Sequence, residues 1–145
     1  MAEVFKIAMG RLCVPTLDMV GAEAMYKLPA DFFNDVKAEY ENRRNVSYEA
    51  LKAIPGVVCE CPGGAFYITA KMPVESTEDL LVFMLTKFRD NNETTMFAPA
   101  EGFYATEGLG KNELRIAYCL NADDMKRAIE ILAKGIEAYK AQGGK

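Results

Sequence analysis

The sequence predicts an α+β sandwich, in which a small, mostly antiparallel sheet carries helices on one face and follows one long helix. Residues 29–54 keep a helical spacing of apolar positions. Residues 55–145 then read as strand, strand, helix, strand, strand, helix, an order that packs as a sheet covered by helices. The chain is 50% hydrophobic and 26% charged, which is typical of a globular protein with a real core.

The first half of the chain is predicted to be helical. A short helix is expected from Leu17 to Tyr26, because Pro15 stops any earlier one. The long helix runs from Pro29 to Ile54, and Pro55–Gly56 ends it. Its apolar face consists of Phe33, Val36, Tyr40, Ser47, Leu51 and Ile54. At 1.5 Å per residue it is about 39 Å long, which indicates a helix that bridges two lobes.

The second half contains a predicted hairpin, two further strands and two capped helices. The hairpin strands turn at Pro62–Gly64, Ser76 caps the first helix, and Asn121 caps the last. The first helix is expected to bury Leu81, Met84, Leu85 and Phe88, and the last one Met125, Ala128, Ile129, Leu132, Ile136 and Tyr139. The expected spans are strands Val57–Cys61 and Ala65–Lys71, helix Thr77–Asp90, strands Thr94–Ala98 and Glu113–Leu120, and the helix after Asn121.

Charge and hydropathy exclude several functions. The net charge is −4, and the basic residues are scattered, so nucleic-acid binding is not expected. The longest apolar run, Leu80–Leu85, is too short to cross a membrane. The four cysteines, Cys13, Cys59, Cys61 and Cys119, form no C-x-x-C pair, which suits a reducing compartment and a cytoplasmic protein. They are interpreted as buried apolar thiols rather than metal ligands, and no metal site is expected.

The chain contains no histidine. This removes Ser-His and Cys-His nucleophile pairs, histidine bases and histidine metal ligands together. The segment Gly108–Lys111 resembles a phosphate loop, but the Walker spacing would need glycine where Ala105 stands. It is interpreted as a surface turn.

Arg115 is the first candidate binding residue. In a strand it faces away from its apolar neighbours Leu114, Ile116 and Tyr118, and its guanidinium offers the donor fork that matches a carboxylate. Periodicity alone leaves two interpretations open. Arg115 either binds a substrate acid, or it is a solvated edge residue or the ion-pair partner of Glu113 or Glu101.

Aromatic residues in two other segments are further candidates. The long glycine-spaced stretch Pro99–Gly110 carries Phe103 and Tyr104, and such loops often bind ligands. Phe66 and Tyr67 follow Gly63–Gly64 and could line a pocket. In both places the alternative is that the aromatic rings pack back on the sheet.

Four motifs together resemble a known family. They are Ile54-Pro55-Gly56-Val57-Val58, Pro62-Gly63-Gly64-Ala65-Phe66-Tyr67, Met96-Phe97-Ala98-Pro99 with its glycine-rich loop, and Asn112-Glu113-Leu114-Arg115-Ile116-Ala117-Tyr118. Their order and spacing, from about Val4 to Ala141, resemble the C-terminal half of fold-type I aminotransferases, which depend on pyridoxal 5'-phosphate. The resemblance is closest to bacterial aspartate aminotransferases, in the branch that also contains alanine and aromatic transaminases.

The resemblance implies a role for Arg115 and an incomplete site. Arg115 matches the family's arginine that clamps the α-carboxylate of the amino-acid or 2-oxo-acid substrate, and Phe66, Tyr67 and Phe103 would lie near the mouth of the site. The lysine and other residues that hold the cofactor belong to the family's large domain, and none maps onto this chain. The isolated chain is therefore expected to bind no pyridoxal phosphate and to be inactive, while the parent enzyme would be a homodimer.

The resemblance also implies a division of the chain. Residues 1–28 would lead from the large cofactor-binding domain, 29–54 would form the interdomain helix, and 55–145 would be the small domain. Three alternatives remain at this point. The chain could be a free-standing α+β module that binds small carboxylates, the parent could be an alanine or aromatic aminotransferase, or the chain could serve only as a dimerisation element.

Overall fold

The computed structural model describes Val4 and residues 14–144, which fall into two compact units, Met1–Val36 and Lys37–Lys145. The boundary between the units lies inside the long helix. The predicted division at residues 28 and 54 concerns a larger protein and stays a prediction. The helices are α1 (Thr16–Glu23), α2 (Ala30–Lys52), α3 (Thr77–Thr86) and α4 (Ala122–Ala141), and the strands are β1 (Val58–Cys59), β2 (Tyr67–Lys71), β3 (Ala98–Pro99) and β4 (Glu113–Ala117).

In the first unit, α1 is followed by a 3-10 turn, Ala24–Lys27, and by the start of α2. Helix α1 and this turn together cover the predicted short helix. Every residue from 14 to 36 is exposed, including apolar ones. Phe33 and Val36, predicted to lie on a buried face, expose 43% and 41% of their surface. The prediction of burial is wrong for this part of α2, because the apolar neighbours of Phe33, such as Phe32 with its ring centroid 5.5 Å away, are themselves exposed.

The second unit is built on an antiparallel sheet in the order β1-β2-β4-β3. The predicted hairpin is confirmed: β1 pairs with β2, with Val58 opposite Lys71. Strand β4 pairs with β2 on one side and with β3 on the other. The predicted strand Thr94–Ala98 is mostly wrong, because the Thr94 hydroxyl donates to the Met84 carbonyl (2.9 Å) and the chain joins the sheet only at β3.

The core lies between one face of this sheet, α3, α4 and the end of α2. Strands β2 and β4 supply Ile68, Ala70 and Leu114, each exposing 1% or less of its surface. The predicted stripe of α4 is confirmed at Met125, Ile129, Leu132 and Ile136, which are all buried. The predicted caps are confirmed as well, since Ser76 Oγ accepts a hydrogen bond from the Asp79 amide and Asn121 Oδ1 accepts one from the Asp124 amide.

Helix α3 buries a different face from the predicted one. It buries Leu80, Phe83 and Met84, whereas Leu85 is exposed and Leu81 is only half-buried. The cause is the buried Thr77, whose amide donates to the Lys111 carbonyl (2.8 Å) and whose hydroxyl donates to the Glu113 carbonyl (2.8 Å). These bonds turn the first residue of the helix toward β4 and thereby set which side chains follow it into the core.

The cysteines differ from the prediction. Cys59 is half-buried, and Cys61 and Cys119 are exposed free thiols; Cys13 lies outside the described residues. The expectation of buried thiols is wrong for Cys61 and Cys119, because β1 ends at Cys59 and β4 ends at Ala117. No group of three metal-ligating side chains occurs among residues 14–144. Nor does this part of the chain contain a helix long and apolar enough to cross a membrane.

A charge cluster fastens the turn before β3 to α4. Arg127 contacts Asp90 (2.8 Å) and Glu93 (2.7 Å), and Lys134 contacts Asp90 (2.8 Å). Hydrogen bonds from Lys134 and then from Arg127 lower the pKa of Asp90 below its usual value. Because the folded state holds the ionised carboxylate, Asp90 stabilises the fold above the pKa of the unfolded chain, and this contribution is lost as pH falls through the lowered value.

Asp90→Asn should therefore weaken the acid sensitivity of the protein. We expect the urea midpoint of the wild type to drop more between about pH 6 and pH 3 than that of Asp90→Asn, as measured by circular dichroism. Glu130→Gln, which removes an exposed carboxylate of α4, is the control and should follow the wild type. Equal drops of the urea midpoint in the wild type and in Asp90→Asn would show that Asp90 does not contribute to the pH dependence of stability.

Candidate functional site

Arg115 lies in the middle of β4, opposite Thr69 of β2 and Ala98 of β3. Its strand is hydrogen-bonded on both sides, so the alternative of an edge arginine is wrong. The neighbouring Leu114 is fully buried, which places Arg115 on the face of the sheet away from the core. A central strand holds the backbone of Arg115 rigidly.

Two aromatic rings flank the guanidinium. Cζ of Arg115 lies 4.3 Å from the ring centroid of Tyr67 and 4.3 Å from that of Phe103. Tyr67 is the diagonal neighbour of Arg115 across β2 and β4, since it stands opposite Ala117. Phe103 comes from the 3-10 turn Glu101–Phe103, which follows β3 directly. Each cation–π contact restricts the arginine side chain without neutralising its charge.

The nearest candidate counter-ion is engaged elsewhere. The Tyr104 hydroxyl donates a hydrogen bond to the carboxylate of Glu113, and this bond, together with partial desolvation, raises the pKa of Tyr104. Within residues 14–144 no carboxylate forms an ion pair with Arg115. The alternative in which Arg115 pairs with Glu113 or Glu101 is therefore not what the structure shows.

The glycine-spaced loop folds back on β4. The amide of Ala100 donates to the Glu113 carbonyl (2.9 Å), and the Glu113 amide donates to the Gly110 carbonyl (3.0 Å). Gly110 has a φ of +76°, and a Cβ at this position would lie 2.5 Å from the Tyr104 ring. Only glycine lets the loop close so tightly. Residues 107–112 form turns, as predicted for Gly108–Lys111.

A cavity of about 380 Å³ lies beside Arg115, where β3 and β4 part. Its walls include Tyr67, Met96, Ile116 and Leu120, and Arg115 is the one charged residue of the lining among residues 14–144. A mostly apolar cavity with a guanidinium that forms no ion pair in this part of the chain suits a small organic acid whose carboxylate meets the arginine.

The Phe66 ring packs against Tyr67 rather than against Arg115 itself. Its ring centroid is 4.4 Å from that of Tyr67 and 6.5 Å from that of Tyr40. Of the predicted site residues, the structure thus brings Tyr67 and Phe103 onto Arg115, and Phe66 onto Tyr67. Tyr40 was assigned to the core from helical spacing alone, so its contact with Phe66 carried no sequence signal.

Tyr118, the residue after β4, is buried in the core and holds the backbone of Ala65 and Phe66. Its hydroxyl donates to the Ala65 carbonyl (2.9 Å), and its amide donates to the Phe66 carbonyl (3.0 Å). Burial raises the pKa of Tyr118, so the phenol remains a donor over the neutral range. The alternating pattern Leu114, Ile116, Tyr118 predicted its burial but not its bond to the turn.

The chain is similar in sequence to enzymes of known activity. Aspartate aminotransferase of Bacillus subtilis (strain 168) is 30% identical over 121 residues, which is 82% of this chain and 30% of the relative. The chain is related to the fold-type I aminotransferases. No protein-family model matches it.

Solved aminotransferase structures share the fold. Alanine aminotransferase from Pyrococcus furiosus has a TM-score of 0.67 and 25% identity, over 92% of this chain and 33% of that protein. LysN, the α-aminoadipate aminotransferase of Thermus thermophilus, has a TM-score of 0.63 and 23% identity, over 75% of this chain and 27% of that protein. The chain thus spans about a third of the length of the aminotransferases it matches.

The site in this chain does not fit pyridoxal phosphate. Among the residues that the structure describes, the lining of the cavity beside Arg115 offers no lysine amine to bind the aldehyde carbon and no carboxylate for the pyridine nitrogen. Its single cation is fixed between two aromatic rings. Among the described residues, the cavity thus presents one guanidinium and mostly apolar walls, a lining that suits a carboxylate better than it suits the cofactor.

The stacking of Arg115 is open to direct measurement in this chain. A double-mutant cycle with Arg115→Met and Phe103→Leu should give a coupling energy of about 0.5–1 kcal/mol, because the site is partly exposed to water. Urea denaturation of the wild type, both single variants and the double variant supplies the four values. The matched pair Arg115→Met and Leu109→Ala, which removes an exposed loop residue, should be additive. Additivity of the first pair would contradict the contact.

Proposed function

We propose that the chain is the C-terminal small domain of a pyridoxal-phosphate-dependent aminotransferase and supplies the arginine that binds the substrate α-carboxylate. The observation that carries the proposal is Arg115, a guanidinium on a central strand, held by Tyr67 and Phe103 and without a carboxylate partner in the described chain. The aminotransferase relatives support the assignment of the reaction class.

The proposed role follows from the chemistry of the two substrates. An α-amino acid and its 2-oxo acid both carry a carboxylate next to the reacting carbon. One fixed guanidinium can therefore orient the incoming amino acid and, in the second half of the exchange, the incoming oxo acid. Tyr67 and Phe103 keep the fork in place and exclude water from its faces, which strengthens its attraction for the carboxylate.

The remaining parts of the enzyme are proposed to lie outside these residues. A large domain would hold the pyridoxal phosphate, which supplies the electron sink for exchange of the amino group. The Thermus thermophilus relative was crystallised with N-(5'-phosphopyridoxyl)-L-leucine, which supports this cofactor. Helix α2 would be the interdomain strut, and its exposed Phe33 and Val36 are suited to contact with another domain. The complete enzyme is proposed to be a cytoplasmic homodimer.

Aspartate is the proposed amino donor, on the strength of the Bacillus subtilis relative. An alanine-specific enzyme is the second candidate, because the Pyrococcus furiosus alanine aminotransferase matches 92% of the chain. A panel of amino donors tested on the complete enzyme would distinguish aspartate specificity from alanine specificity. A kcat/KM highest for aspartate supports the first, and one highest for alanine supports the second.

The chain by itself should be folded and inactive. Circular dichroism should show its helices, while added pyridoxal phosphate should produce neither a coloured complex nor transaminase activity, because no residue of the site can hold the aldehyde. Inorganic phosphate serves as a control for weak anion binding. A tight complex that absorbs visible light would contradict the proposal that a separate large domain holds the cofactor.

In the complete enzyme, Arg115→Ala should lower kcat/KM for the amino donor by at least about 10- to 150-fold, the effect of losing one charge-assisted hydrogen bond. Arg115→Lys should restore only part of it, since an ammonium lacks the planar fork. Arg89→Ala, which removes an arginine bonded to carbonyls at the end of α3, is the control and should retain activity. Equal kinetics for Arg115→Ala and Arg89→Ala would overturn the assignment.

A further inference from the structure

A continuous series of ring contacts leads from α2 to Arg115. Tyr40 of α2 lies 6.5 Å from Phe66, Phe66 lies 4.4 Å from Tyr67, and Cζ of Arg115 lies 4.3 Å over Tyr67. Phe103 closes the series on the far end, also 4.3 Å from Cζ. The distances between ring centroids fall in the range in which aromatic pairs attract each other.

Tyr40 is held in place at the start of this series. Its ring lies 6.4 Å from that of buried Tyr118, and Cζ of Arg43 lies 5.1 Å over it. Arg43 is fixed in turn, because it donates to the Cys119 carbonyl (2.7 Å) and to Glu39 Oε1 (2.7 Å). Tyr40 is therefore anchored to the end of β4, the strand that carries Arg115.

Phe66 depends on its neighbours for its orientation. Its backbone is fixed by Tyr118, but 43% of its surface is exposed, and it follows Ala65, which has a φ of 59°. A ring so exposed is held mainly by the rings beside it, which are Tyr40 and Tyr67. Removal of the Tyr40 ring would free Phe66 to change rotamer and would loosen the support of Tyr67.

We infer that Tyr40 is a positioning residue for Arg115, acting through Phe66 and Tyr67. The inference rests on the proposed function, because it concerns binding of the substrate carboxylate. A guanidinium whose supporting rings move samples more rotamers, and binding a carboxylate in bidentate fashion then costs more entropy. The effect falls on substrate binding rather than on the chemical step.

The first test uses the 145-residue chain and the Nε–Hε resonance of Arg115 in NMR spectra. Tyr40→Leu should shift this resonance, because ring currents of Tyr67 and Phe103 act on it, whereas Tyr40→Phe should leave it unchanged. Tyr48→Leu is the matched control, since Tyr48 lies on the same helix but contacts Lys52 rather than the ring series. If Tyr40→Leu does not fold, Phe66→Leu tests the same path. An unchanged resonance in the folded variant overturns the inference.

The second test uses the complete enzyme. Tyr40→Leu should raise KM for the amino donor by about two- to tenfold, the factor that corresponds to one aromatic contact, with kcat nearly unchanged. Tyr40→Phe should rescue KM, and Tyr48→Leu should not alter it. If Arg115→Ala raises KM and Tyr40→Leu does not, the inference is wrong and the proposed function stands. If Arg115→Ala has no effect, the proposed function itself fails.

Discussion

Strand β4 is the element on which both the core and the site depend. It is paired on both edges, with β2 and with β3, and it alternates between the two faces of the sheet. Leu114 and Tyr118 are buried on one face, while Arg115 stands on the other. Because successive side chains of a strand point in opposite directions, fixing the core residues also fixes the arginine. A shift of one residue in the register would place a cation in the core.

The side chain of Arg115 is held in place without neutralisation of its charge. An ion pair with Glu113 would hold the side chain but would also occupy its donors. Instead Glu113 accepts a hydrogen bond from Tyr104, and Arg115 is held by Tyr67 and Phe103. Aromatic faces attract a cation without using its N–H groups, so the guanidinium is both ordered and available to a ligand. Such preorganisation lowers the entropy that binding must overcome.

The two units of the chain differ in what they bury. Residues 37–144 enclose a core of their own, whereas every residue from 14 to 36 is exposed, among them Leu17 and Tyr26 at 85% and 92%. Exposed apolar residues in such number are typical of a surface that meets another protein domain. The chain spans about a third of the length of the aminotransferases it matches.

Local sequence patterns are enough to predict the α+β class, the order of the elements in the second half, the helix caps and the orientation of Arg115. Periodicity and capping chemistry are local, so they can be read from neighbouring residues. The carboxylate-binding role of Arg115, which periodicity left open, is implied by the resemblance to aminotransferases and stays a prediction.

Contacts between distant parts of the chain set the buried face of α3, the exposure of Cys61 and Cys119, and the placement of β4 at the centre of the sheet. The buried face of α3 follows from two bonds of Thr77, from its amide to the Lys111 carbonyl and from its hydroxyl to the Glu113 carbonyl, and both partners are distant in sequence. The contact of Tyr40 with Phe66 likewise joins elements that lie far apart along the chain. Contacts of this kind depend on how the elements pack, and packing leaves no periodic trace in the sequence.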